Sequence, residues 1–143
     1  MIRALALVAL MSLPPQAMAW TTCHGHTVAD VSTELLPCGD RPNCVSTEHP
    51  DPDRQLRAPR DLPLAALRKA IAAEPRSQVM AEGNGWLIVH FHSRVFGFVD
   101  EAHFIVRPDG TLAMRSGACT GYWDFGVNRR RLERLVRRAT QDD

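Results

Sequence analysis

Six side chains near the C-terminus of this 143-residue chain have the types and spacing to bind an anion: Arg115, Ser116, Asp124, Asn128, Arg129 and Arg130. Glu133 lies just beyond them. A strand end, a loop and a helix start are expected to bring them together. The N-terminus of a helix presents free N–H groups and the positive end of its dipole, and both attract negative charge. Arginine adds a planar fork that grips carboxylate or phosphate. The same residues also suit a purely architectural task, with Asn128 capping the helix and Asp124 pairing with an arginine. Buried polar networks often do no more than hold a loop rigid.

Histidine offers a second chemistry. His90 and His92 fall on one face of a single strand, and His103 lies on the next; His24 and His26 add two more near the start. Alternating histidines ligate zinc or copper. No cysteine or carboxylate is clearly placed beside these three, so they are weak metal candidates, and neither a metal nor a cofactor is expected. Nucleophiles are poorly supported as well. Ser116 lacks a G-x-S-x-G context, and Cys119 in a disulfide cannot attack. Asp100 and Glu101 are strand neighbours and so face opposite sides. The reading therefore leans towards a non-catalytic module that binds a small anion or a protein partner. The alternatives are a hydrolase using the same cleft and a purely structural envelope protein.

Several features bound where such a site works. Met1–Arg3 is a short positive segment, Ala4–Leu13 is an almost unbroken apolar run, and Ala17-Met18-Ala19 has small residues where a signal peptidase cuts. The run is too short to span a bilayer. Residues 1–19 are thus expected to be a signal peptide, and the protein to be exported, periplasmic or secreted, with no transmembrane segment after cleavage. Losing Arg3 takes the formal net charge from +1 to 0, which argues against a nucleic-acid partner. All four cysteines follow residue 19. An oxidising compartment makes two disulfides the first reading, with three possible pairings.

The elements that must position these residues are partly readable. Residues 20–60 hold five prolines and read as an irregular arm pinned by cysteines, because proline fixes φ and removes a donor. Residues 61–143 read as an α+β domain forming one folded unit with that arm. A helix is expected after Asp61 as N-cap, with Leu64, Leu67 and Ile71 at helical spacing. Strands are expected at Gln78–Ala81, Trp86–Ser93, Phe96–Arg107 and Thr111–Ser116, the third with a bulge near Asp100-Glu101. In Trp86–Ser93, Leu87, Val89 and Phe91 point one way, and Trp86, Ile88, His90 and His92 the other. A last helix is expected from Asn128, with Leu132, Leu135, Val136 and Ala139 as its apolar stripe and its arginines on a solvated face. The architecture is an antiparallel sheet of three to five strands, two helices on one face and the Pro-rich N-terminal arm.

Three ordered blocks carry a resemblance. Pro37-Cys38 with Arg41-Pro42-Asn43-Cys44-Val45-Ser46 resembles the P-C-x-x-x-P-N-C-V-S opening of family 1499 of the domains of unknown function. Phe98-Val99-Asp100-Glu101 resembles its F-V-D-D strand. Arg115-Ser116, then Gly121-Tyr122-Trp123-Asp124-Phe125-Gly126-Val127-Asn128-Arg129-Arg130-Arg131 and Glu133, resembles its long C-terminal signature. The resemblance implies a small exported or lumenal domain and brings no activity or cofactor. Two cysteines depart from the family pattern: Cys119, within Ala118-Cys119 where the family usually has Ser-Arg, and Cys23, upstream of the first block. That departure implies the pairs Cys23–Cys119 and Cys38–Cys44.

Overall fold

Period-2 alternation with apolar residues on both sides marks a strand buried on both faces, and Trp86–His92 has that pattern. In the computed structural model, which describes residues 20–141, this strand lies inside a five-stranded sheet, with a strand on either side. The expected signal peptide lies outside the described residues. In chain order the elements are α1 (Val28–Thr33), β1 (Cys44–Ser46), α2 (Leu64–Ala72), β2 (Ser77–Gly83), β3 (Trp86–His92), β4 (Val99–Val106), β5 (Leu112–Ala118) and α3 (Val127–Gln141). The strands run antiparallel in the order β1-β5-β4-β3-β2. The molecule is therefore α+β, as the sequence implies.

One face of the sheet receives both longer helices. Leu67, Ala70 and Ile71 of α2 and Leu132, Leu135 and Ala139 of α3 bury against Leu87, Val89, Phe91, Ala102, Phe104, Leu112 and Met114. The opposite face carries Trp86, Ile88 and Ile105, covered by Val31 and Leu36 of the arm. Among the described residues, no helix is long and apolar enough to cross a membrane.

Several local details differ from the sequence reading. The arm contains the short helix α1, opened by a capping box between Thr27 and Asp30. It also supplies β1, at the sheet edge between Pro42 and Pro50, where proline is tolerated. β4 begins at Val99 rather than Phe96. Gly97 takes a φ of +64°, and the Ser93 N–H donates to Phe98 O, closing a turn there. Pairing then runs unbroken through Asp100 and Glu101, and the irregularity lies in β2 instead, between Val79 and Ala81. That bulge lets Val79 join the helix-side core while Met80 and Ala81 pack against the arm-side cluster. Asp61 does not cap α2. Pro63 holds the N-cap position, and Asp61 sits at φ +53° with its N–H donating to Gly110 O.

Candidate functional site

Strand geometry separates neighbours, and on β5 it separates Arg115 from Ser116. Ser116 points to the helices and its hydroxyl donates to Asn128 Oδ1. Asn128 lies inside α3, fully buried, and is not its cap. Its backbone N–H and its Nδ2 both donate to Asp124 Oδ2 at 3.0 Å, while Asp124 Oδ1 accepts the Gly126 N–H. Asp124 thus takes up free N–H groups at the helix start. Arg131 Nη1 donates to Asn128 Oδ1 and lies 2.9 Å from Asp100 Oδ2, with its guanidinium 4.6 Å from the Phe91 ring centroid. These contacts close a polar network across β4, β5 and α3. Arg129 donates to the carbonyls of Gln55 and Asp53, at 3.2 and 2.7 Å. Arg130 is exposed. Ser116, Asp124 and Asn128 therefore meet, while Arg115, Arg129 and Arg130 go elsewhere.

Arg115 turns to the arm side, into a group of ionisable residues that sequence reasoning did not assemble. The Glu101 carboxylate is wholly buried there. Its Oε2 accepts the Cys23 N–H at 2.9 Å and lies 2.9 Å from His90 Nε2. Burial, the largest influence, pushes the Glu101 carboxyl up; His90, the Cys23 N–H and Arg115 outweigh it and hold it below the usual range. Arg115 Nη1 donates to Glu101 O at 3.2 Å and is 4.0 Å from Oε1. The Nε of this arginine has no hydrogen-bond partner, although the side chain is only 3 % exposed. Burial pulls the guanidinium down from its ordinary value, with Glu101 opposing.

Two small cavities meet at Arg115. One, of about 400 Å³, is lined by His24, Asp40, Arg41, Asn43 and Cys119 among others. The other, of about 220 Å³, shares His24, Gly39 and Arg115 and is also lined by His26, Leu36 and Pro37. Burial, then the charge of Arg115, holds the His24 imidazole below its usual range. The walls are built with care. Cys23 pairs with Cys119 and Cys38 with Cys44. Arg54 donates to the carbonyls of Gly39, Arg41 and Cys44. Gly117 makes room for the second pair, since a Cβ there would lie 2.8 Å from Cys44 Cβ.

The three candidate metal histidines have separate surroundings. His90 faces Glu101, and its ring centroid lies 6.4 Å from that of His92. His103 is fully buried; its Nδ1 accepts the Leu36 N–H at 3.0 Å, so Nε2 carries the proton and donates to Val31 O at 2.8 Å. Burial is the main reason its pKa falls to about 4. Among the described residues, no three His, Cys, Asp or Glu side chains converge to hold a metal ion.

No curated protein and no solved structure matches the chain. A family model does, over residues 34–138, a span that takes in β1 through β5, α2, most of α3, Glu101 and Arg115. The chain belongs to the family described as Protein of unknown function (DUF1499).

Proposed function

We propose that this chain is an exported, non-catalytic module that binds a small oxyanion, of carboxylate or phosphate type, with Arg115 as the anchoring cation. The observation that carries the reading is the buried guanidinium with an unused Nε–H beside two cavities. A buried donor without an acceptor costs roughly 1–3 kcal/mol, and an anion entering from the His24–Arg41 side supplies that acceptor. Arg41 adds a second cation at the wall, opposed by Asp40. Export is supported by the apolar N-terminal run and by two cysteine pairs at bonding distance. The hydrolase alternative loses ground because the Ser116 hydroxyl is buried and spent on Asn128.

The test is nitrogen-15 NMR of the Arg115 side-chain N–H during titration of the oxidised protein with inorganic phosphate and with acetate. The expected result is a saturable shift of that resonance, weakened in Arg41→Gln, which alters the wall and leaves the sheet intact. A resonance that stays put with both anions overturns the reading.

A further inference from the structure

Five of the nine aromatic residues of this chain stand in solvent, in two loops at one end of the sheet. Phe96 and Phe98 occupy the turn between β3 and β4, with Val95 beside them. Tyr122, Trp123 and Phe125 occupy the loop between β5 and α3. The loops leave neighbouring strands at the same level: Asp100 pairs with Ala118, and the Cys119 N–H donates to Val99 O. Within each loop the rings gather, with centroids 5.5 Å apart for Phe96 and Phe98 and 5.2 Å for Tyr122 and Trp123. Exposure reaches 76 % at Phe96, 62 % at Trp123 and 84 % at Phe125. Isolated exposed apolar residues need no explanation, but a gathering of this kind marks an interaction surface.

The backbone holds Phe125 outward at some cost. Its φ is +52°, in the left-handed region that a bulky side chain avoids. The turn is fixed by Asp124, whose carbonyl accepts the Val127 N–H and whose carboxylate accepts those of Gly126 and Asn128. Such strain persists where the surroundings over-determine it, and it clusters at functional positions.

We infer that this aromatic tip is a membrane-docking surface that inserts into the headgroup boundary of an anionic bilayer. Two short projecting loops present rings at their ends, and aromatic residues favour that boundary. The charges nearby suit it. Arg94 stands exposed in the β3–β4 turn, and Arg130 is exposed one turn into α3. The loops' own acid, Asp124, has both carboxylate oxygens engaged in hydrogen bonds. Cations flanking a shallow apolar insertion attract anionic lipid. This inference is independent of the Arg115 cavity on the arm side.

The experiment is co-sedimentation of the oxidised protein with phosphatidylcholine vesicles, with and without phosphatidylglycerol. Binding is expected with the anionic vesicles and weak binding with the neutral ones. The triple variant Phe96→Ser/Phe98→Ser/Trp123→Ser is expected to bind at least about tenfold more weakly, with unchanged thermal unfolding because these residues lie outside the core. Lipids brominated in the acyl chain are expected to quench fluorescence in the parent protein, and less so in Trp123→Phe. Failure to bind anionic vesicles overturns the inference, and so does full binding by the triple variant. Concentration-dependent self-association abolished by the triple substitution, with no vesicle binding, also overturns it in favour of a second copy of the chain.

Discussion

Phe104 and His103 are neighbours on β4, and each is completely buried, but by different means. Phe104 enters a continuous apolar layer supplied by α2 and α3. His103 meets two backbone groups of the arm, Val31 O and the Leu36 N–H, about seventy residues earlier in the chain. The contrast extends along both faces. The helix side is held chiefly by hydrophobic burial, which is non-directional and indifferent to pH, with ion pairs such as Arg131–Asp100 and Arg138–Glu74 beside its apolar layer. The arm side has a smaller apolar cluster, a buried carboxylate, a buried arginine and a disulfide that closes a long loop. It depends on geometry, oxidation and protonation state, and the two cavities beside Arg115 lie there as well.

The largest effect that sharpens this contrast comes from the disulfides. Cys23 and Cys119 are 96 positions apart, whereas Cys38 and Cys44 are separated by 6. The unfolded chain therefore gains far more freedom when the first link is cut. In the loop-entropy model, Cys23→Ser/Cys119→Ser costs about 4–5 kcal/mol and Cys38→Ser/Cys44→Ser about 2 kcal/mol. Urea denaturation of the two double variants measures the difference. Hydrogen exchange is expected to quicken at the position-23 and Leu36 N–H groups in the first variant while α3 stays protected. Equal losses, or fraying that begins in the helices, would show that the two faces are not stabilised separately.

A change of pH breaks the contrast next. His103 titrates at about 4 in the folded protein, against an ordinary value of 6.5. Because the folded value is depressed, its contribution is complete above pH 6.5 and declines as the pH falls towards 4. The whole loss is about 3 kcal/mol. His24 is shifted the same way and adds to the slope. Glu101, held below 4.5, loses its contribution only at lower pH. Unfolding free energies between pH 6.5 and 4.5 are expected to drop in the parent and to flatten in His103→Gln. His24→Gln is expected to retain most of the slope. An unchanged slope in His103→Gln would remove His103 as the arm's anchor.

How much of this was legible follows from which interactions are local. The two faces of β3 were readable because apolar residues alternate there on both sides, and the helix-side core followed from that period and the stripes of α2 and α3. The turn at Gly97 was harder: Phe96 and Phe98 have strand-forming side chains, and only the positive φ of the glycine between them ends the strand. The backbone partners of Glu101 and His103 were not readable, since they belong to residues 23, 31 and 36 and no side-chain type announces them. Arg115 is a different case. The period that places Asp100 and Glu101 on opposite faces also places Arg115 and Ser116 apart, and a polar cluster assembled from chain proximity overlooks it.

The smallest effect bears most directly on that separation. Ser116→Ala removes one hydroxyl from the network around Asn128, whose Oδ1 still accepts from Arg131 at 3.3 Å. No acceptor is stranded, so the cost is about 1 kcal/mol, the net worth of one hydrogen bond. Phosphate binding at Arg115 is expected to be unaffected, because the hydroxyl lies on the helix side of the sheet. Denaturation and the Arg115 side-chain titration, run on the same variant, measure both quantities. Loss of anion binding at full stability would move the site across the sheet, to the helix start where Asp124 and Asn128 meet. A loss of about 1 kcal/mol with binding intact leaves that network holding α3 to the sheet and keeps recognition beneath the arm.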